Sequence, residues 1–471
     1  MRALALCIVV LLLTGPLAAA PRHAPAAPAP SSSAPAVNAC FPPAAVRSCP
    51  APTPPKLCDR DFEIAKIAWK YFENNFNPET GLVNAVDRYP STTMWDLASS
   101  LAGTVAAREL GVLDAKQFDD RMMAMLGALA GMKLYKDEAP NKAYNAKTGQ
   151  MSDYANKPSD GIGYSALDLA RLAGWLDMLG CLYPKYAHAA EQILLRWKWC
   201  RIVQNGQMYG TYVDPATKKE KVNQEGRLGY EQYGAKILAR MGFDVHVSAS
   251  YKNEFMTTTA IDGLPIAVDM RDPRKLGAYN YVLTESYALD AMESGMDAPG
   301  EPALLKNIFE VQKRRWQKTH IVTAVSEDNV DRPPYFVYNT IYCAGSPWNT
   351  ITDTGVDQNA LKSTSTKAAL SLAALFPDDP YAAVLVDQVG SAYDPARGFY
   401  SGVYENGIGY NKAITANTNG IILEMMLYRM YGPLLRVCDR CKAGITRLGA
   451  DLPAEQRKNQ CLPSPPEPAR R

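Results

Sequence analysis

Between residues 60 and 431 the chain alternates two kinds of helical segment, and this alternation constrains the fold more than any other feature. One kind is amphipathic with a charged face: residues 60–76, 115–133, 184–200, 300–318 and 380–391. Apolar side chains recur there at three- and four-residue steps, as in a helix packed on one side. The other kind is rich in Ala, Gly, Leu and Met with little charge: 93–110, 163–181, 223–241, 281–294, 359–375 and 415–430. A helix apolar almost all round is buried on most faces. Six inner and five outer helices follow. The sixth outer position falls near 245–268, where the sequence turns polar and β-prone and predicts a hairpin or insertion. Inner segments recur at about 50–70 residues, too long for most solenoid repeats. The expected fold is all-α, an (α/α)6 toroid of helical hairpins with small β-hairpin insertions in the loops. An open solenoid would need polar terminal caps, and the last inner segment, ITANTNGIILEMMLYRMYG, is as apolar as the others.

The two ends point to a compartment. Residues 1–20 read as a signal peptide: Arg2, the apolar run Ala3 to Leu13, then small residues at Leu17-Ala18-Ala19-Ala20. The run is shorter than the roughly 20 residues a membrane-spanning helix needs, and no later stretch is long and uncharged enough to span. Residues 21–57, almost all Ala, Pro and Ser, read as an extended tether. The toroid is expected over 58–436 and a Cys-containing tail over 437–471. Cleavage would remove Cys7 and leave nine cysteines, of which Cys40, Cys49 and Cys58 flank one end of the body and Cys438, Cys441 and Cys461 the other. Disulfides stapling the two tails in the periplasm or outside the cell are expected. Cys181 and Cys200, on adjacent helices, could pair and leave Cys343 odd. The lone CxxC at Cys438 and Cys441 is a weak zinc or redox signal. Four histidines leave little for a His-rich metal site, so no metal or cofactor is expected. Fifty basic against 48 acidic residues give no basic excess for nucleic acid.

Connections from inner to outer helices are short and those from outer to inner are long. In a ring the long loops stack at one mouth with the N-termini of the inner helices. Loops this long in a compact domain are usually functional. They bring Trp95, Asp96, Asp168, Glu225, Tyr230, Arg271, Glu285, Glu327, Asp328, Tyr335, Tyr338, Trp348, Tyr404, Asn417 and Asn419. Aromatics mixed with carboxylates, amides and hydroxyls suit a sugar, whose faces stack and whose hydroxyls need paired donors and acceptors. Two carboxyl groups cut a glycosidic bond, one giving a proton and the other activating water or attacking directly. The pair expected from chemistry is Glu225 as acid with Asp96 or Asp328 as base. Asp96 also suits a first-turn acid capped by Thr92 or Thr93. Glu285 suits a capping box equally well. Glu231 is expected to pair with Arg227.

The segments TMWDLASSLAGTVAARELGVL, GYSALDLARLAGWL, QEGRLGYEQYGA, TAVSEDNVDRPPYFVYNTIY, STKAALSLAALF and NTNGIILEMMLYR together resemble the DUF3131-type bacterial family over roughly residues 60–432. More distantly they resemble bacterial glucoamylase-like domains, including β-1,2-glucanases and the transglycosylating domain of cyclic β-1,2-glucan synthases. The resemblance implies an (α/α)6 toroid that acts on or handles a bacterial glucan or exopolysaccharide. It puts Asp96 and Asp168 where those domains carry polar pocket residues, and QEGRLGYEQY near their pocket-lining acid.

The leading expectation is an exported glycoside hydrolase or transglycosylase with an oligo- or polysaccharide substrate. The alternative is a non-catalytic polysaccharide-binding or exopolysaccharide assembly factor. A polysaccharide lyase comes third, resting on Tyr230, Arg227 and Arg271 as base and uronate-neutralising cations.

Overall fold

The computed structural model describes residues 58–271, 279–441 and 443–464, all within one compact unit. The signal-like segment, the tether, Cys40 and Cys49 lie outside the described residues. The chain is mostly helical, with small antiparallel sheets of two or three strands. We number the eleven longer helices of the body α1 (Asp59–Asn75), α2 (Met94–Glu109), α3 (Ala115–Gly131), α4 (Ala166–Leu182), α5 (Ala187–Leu195), α6 (Tyr230–Arg240), α7 (Thr284–Glu293), α8 (Glu301–Thr319), α9 (Thr366–Leu375), α10 (Pro380–Val389) and α11 (Ala416–Tyr431).

The two helix types of the sequence take two kinds of place. In α2 every residue from Leu97 to Ala107 is buried. In α3 the buried residues are Phe118, Met122, Met125, Leu126 and Leu129, one stripe at helical spacing. Each such side chain contributes roughly 1.5–3 kcal/mol by leaving water. The inner helices touch in chain order: α2 on α4, α4 on α6, α6 on α7, α7 on α9, α9 on α11, and α11 back on α2. That last contact is close. A Cβ on Gly420 of α11 would stand 2.7 Å from the carbonyl oxygen of Ser99 in α2, so a larger residue would push the helices apart. Outside, α1 packs on α11 and α2, α3 on α2, α5 on α4, α8 on α7, and α10 on α9.

The sixth outer position holds a hairpin, Met256–Ile261 paired with Leu264–Asp269, as its β-prone sequence predicts. Its two-residue turn, Asp262-Gly263, has positive φ at both positions, the geometry that suits the twist of paired strands. The hairpin packs on α8. Two inner helices start later than their apolar pattern, because strands Glu220–Gln224 and Ser363–Ser365 take the residues before them. The outer segment at 184–200 stops as α5 at Leu195.

The Cys181–Cys200 bridge that the sequence left open is not made. Cys181 is bonded to Cys438 and Cys200 to Cys461, so each reaches the C-terminal segment instead of its neighbour. Cys343 is the free, buried thiol. The C-terminal segment lies against the C-terminal ends of the inner helices. Leu434 N–H donates to Met292 O and Leu448 N–H to Met241 O. The adjacent helix Leu435–Cys441 packs on α4. This end is closed, which leaves the N-terminal ends of the inner helices to the loops.

Candidate active site at the N-terminal ends of the inner helices

Caps fix where these helices begin. Thr93, Ser165 and Thr415 each accept, through the side-chain oxygen, the backbone N–H three residues on: Asp96 at 3.2 Å, Asp168 at 3.3 Å and Thr418 at 3.0 Å. The first turns so fixed hold Trp95 and Asp96 on α2, Asp168 on α4 and Asn417 on α11. The first residues of the remaining inner helices add Tyr230 on α6, Glu285 on α7 and Lys367 on α9.

Hydrogen bonds sew these first turns together. Trp95 Nε1–H points at Glu285 Oε1 (3.1 Å) and Asn417 Oδ1 (3.2 Å), and Asn417 Nδ2 donates to Glu285 Oε1 at 3.0 Å. Lys367 Nζ stands 2.5 Å from Glu285 Oε2 and 3.6 Å from Asp328 Oδ1. The Tyr230 ring meets Trp95 edge-on at 5.4 Å between centroids, and its hydroxyl donates to Glu327 Oε1 at 3.0 Å. Glu285 is therefore an ion-pair partner, not a capping-box member. Burial opposes its charge, but Lys367 and then Asn417 outweigh that and hold the carboxyl below its ordinary range.

On α4 a second acid pair forms. Ser165 Oγ lies 3.0 Å from Asp168 Oδ1 and 3.0 Å from Glu225 Oε2, and Leu167 N–H donates to the same Glu225 oxygen at 3.0 Å. One hydroxyl has one proton, so Ser165 hydrogen-bonds both carboxyls only when one of them is itself protonated. Asp168 is that group: burial first, then the neighbouring Glu225 charge, push it up to about 7. Glu225 sits above Gly210, where a Cβ would collide with its carboxyl and with the Tyr164 carbonyl. On the strand Glu327–Asn329, Glu327 is also pushed up to about 7, by burial and then by the charge on Glu285. Asp96 is raised by burial, against its hydrogen bonds from Thr93. Trp95, Asp96, Asp168, Glu225, Arg227, Glu327 and Asn417 are all half-buried, accessible at one edge.

Beneath them lies a fully buried layer. Arg171 Nη2 is 2.8 Å from Glu424 Oε2 with both side chains fully buried, and its guanidinium lies under the Trp95 ring at 4.7 Å. Glu293 accepts from Trp175 Nε1 (3.0 Å) and Tyr233 Oη (2.8 Å). Burial raises Glu424 far above its ordinary value, and the Glu293 charge adds to that.

Not every expected residue joins this group. Strand Glu327–Asn329 alternates, so Glu327 is half-buried and accessible while Asp328 turns inward, 2% exposed and pushed up to about 7 by burial. Tyr338 stacks flat on Tyr281 at 3.7 Å and is buried, forming a wall. Tyr404 packs under the loops and donates to Asp331 at 2.8 Å. Asn419 clamps the backbone of Phe399. Tyr335 is exposed. Trp348 lines a separate groove of about 300 Å³ with Lys318 and Pro347. Arg271 is spent on Asp269, Gln224 and Glu231. Glu231 thus pairs with Arg271 at 2.8 Å, not with Arg227, because the hairpin brings Arg271 to its side.

Sequence reasoning gave no role to Ser165 or Lys367 in the first turns and missed Arg171 and Glu424 beneath them. For the three charged residues the available signal was a charge inside an otherwise apolar inner helix, which must be paired to be buried. Among the described residues the one cluster of metal-ligand type is Asp177, Cys181 and Cys438, and its two sulfurs are bonded to each other. No described helix is long and apolar enough to cross a membrane.

The fold is that of several solved glucan-degrading proteins. An endo-β-1,2-glucanase from Chitinophaga pinensis, solved with sophorotriose and glucose, matches with TM-score 0.59 at 14% identity, over 82% of this chain and 97% of that one. A protein from Bacteroides caccae, provisionally named a glucoamylase, matches with TM-score 0.59 at 15% identity, over 82% and 97%. An endo-β-1,2-glucanase mutant from Talaromyces funiculosus, solved with β-1,2-glucan, matches with TM-score 0.54 at 12% identity, over 87% and 94%. Among curated proteins none matches. The chain belongs to the family described as protein of unknown function DUF3131, whose model matches residues 63–432.

Proposed function

We propose that the cycle of inner helices is an (α/α)6 toroid and that the protein is an exported glycoside hydrolase or transglycosylase acting on a bacterial glucan or exopolysaccharide. The observation that carries this reading is Asp168, a half-buried carboxyl that keeps its proton to about 7 and shares Ser165 with Glu225, at a helix start in a half-buried group that also holds Glu327 and Trp95. A general acid works best with its pKa near the working pH.

Asp168 donates its proton to the glycosidic oxygen as the C–O bond breaks. Glu327, in its charged form, takes the proton of the water that adds to the sugar carbon, or attacks that carbon itself. The acid expected at Glu225 moves to Asp168, because Glu225 is held as an acceptor on Leu167 N–H. The two carboxyl oxygens lie within twice 3.0 Å of each other across Ser165 Oγ. That excludes the roughly 6.5–9.5 Å of a pair with a water between them. Glu225, already held by Leu167 N–H and Ser165, serves Asp168, and the second carboxyl is Glu327. The inward-facing Asp328 has no access to substrate.

Elimination on a uronate is less well supported. Arg271 is committed to other acids, Tyr230 donates to Glu327, and the acid-rich opening repels an anionic sugar. A neutral β-glucan fits, and β-1,2-glucan, bound by fold relatives, is the first substrate to try. Export accords with the signal-like N-terminus and with two disulfides among the described residues. The test is reducing-end release from a panel of glucans by the parent, Asp168→Asn and Glu327→Gln. Release by the parent alone supports the reading. Binding without release in the parent would leave a glycan-binding protein.

A further inference from the structure

Tyr154 is the most exposed large aromatic among the described residues, at 63%. It stands in the connection from α3 to α4, and the loop that presents it is rigid. Ser152 bridges Pro158, Asp153 N–H donates to Lys157 O, and Lys157 N–H donates to Asp153 Oδ1 at 2.9 Å. Tyr89 Oη donates to the carbonyl of Tyr154 itself at 3.2 Å. Strand Met151–Ser152 pairs with Ala143–Asn145, which pairs with Ser91–Thr93, the strand that runs into α2. The turn is thus anchored between the start of α2, with Asp96, and the start of α4, with Asp168.

Burial and then the charge on Asp168 raise the pKa of the Tyr154 hydroxyl. The ring itself lies open to solvent at the edge of that site. Leaving a large apolar ring in water on a hydrogen-bonded turn gains the fold nothing by burial. A flat ring held beside a proton donor suits a pyranose face.

We propose that Tyr154 is a saccharide-stacking platform that seats the sugar unit next to Asp168 and sets the protein's affinity for its glucan. The proposal rests on the glycosidase reading and adds the residue that holds the substrate. Its hydroxyl is dispensable and its ring is not.

Sophorotriose and longer β-1,2-glucan fragments are titrated calorimetrically into Glu327→Gln protein, alone and combined with Tyr154→Ala or Tyr154→Phe. Alanine should weaken binding roughly three- to tenfold, the worth of one ring stack, and phenylalanine should bind as the Glu327→Gln protein does. Unchanged affinity in the alanine variant overturns the platform while leaving the glycosidase reading intact. If folded Glu327→Gln protein binds no glucan at all, and the parent releases no reducing ends, the glycosidase reading falls and the platform falls with it. The exposed ring adds no core packing, and an unchanged melting temperature for Tyr154→Ala checks that the fold is kept. Equal weakening in Tyr154→Phe would instead assign the effect to the hydroxyl and overturn stacking.

Discussion

The acids gathered at and beneath the first turns of the inner helices fall into two groups, and their difference is one of access to water. Glu293 and Glu424 are fully buried around Arg171, with indole and phenol donors on the Glu293 oxygens and the guanidinium on Glu424. Asp168, Glu225 and Glu327 are half-buried and face the loops. The buried group holds two carboxyls against one guanidinium, burial raises both above the ordinary carboxyl range, and the layer acts as a floor under Trp95. In the half-buried group Asp168 and Glu327 are pushed up only to about 7. Burial supplies the shift in both places. Exposure of one edge turns a structural proton into a usable one.

The largest test of this contrast is Arg171→Met. It leaves Glu424 and Glu293 buried with no cation, and chemical denaturation should show a loss of about 3–5 kcal/mol. Asp168→Asn should do the reverse, keeping the fold while glucan hydrolysis drops roughly 10²–10⁴-fold. A stability loss in Asp168→Asn comparable to that of Arg171→Met would erase the distinction between the groups.

Next comes the pH dependence of stability. Asp168, Glu327 and Asp328 keep their protons to about 7 in the folded chain, whereas unfolded carboxyls release theirs near about 4. Between these values the folded state binds more protons. The stabilisation is complete below about 4 and is lost as the pH rises to about 7. Thermal unfolding should therefore show a lower melting temperature at pH 8 than at pH 5. Asp168→Asn should narrow that gap by gaining stability at pH 8. An unchanged gap would mean that Asp168 ionises normally.

The smallest effect belongs to Ser165→Ala. Losing the α4 cap should cost about 1 kcal/mol. Losing the hydrogen bond that lowers the Asp168 pKa should move the alkaline limb of the pH–rate profile upward. A limb that stays in place would remove Ser165 from the acid pair.

Much of this was legible in the residues. The alternation of stripe-buried and fully apolar segments marked all eleven body helices, and the β-prone stretch after α6 marked the hairpin. Thr93 was one of two caps legible for α2, and the loop lengths marked the end at which the candidate site gathers. The choice among the acids was not legible. Glu327 and Asp328 are adjacent and equivalent in sequence, and only a three-residue strand makes one accessible and the other buried. Glu231 lost its expected partner because a hairpin brought Arg271 closer. Cys181 and Cys200 each found a cysteine of the C-terminal segment, not each other.

The sequence by itself determined the helices, their inner or outer character and the end at which polar residues gather, because periodicity, capping and apolar burial act over a few residues. The tertiary structure alone decided which carboxyl holds a proton, which cation answers which acid and which cysteines join. Those outcomes depend on charges and hydrogen bonds between groups a few ångströms apart in space and far apart along the chain, as Trp95 and Asn417 are when both turn to Glu285.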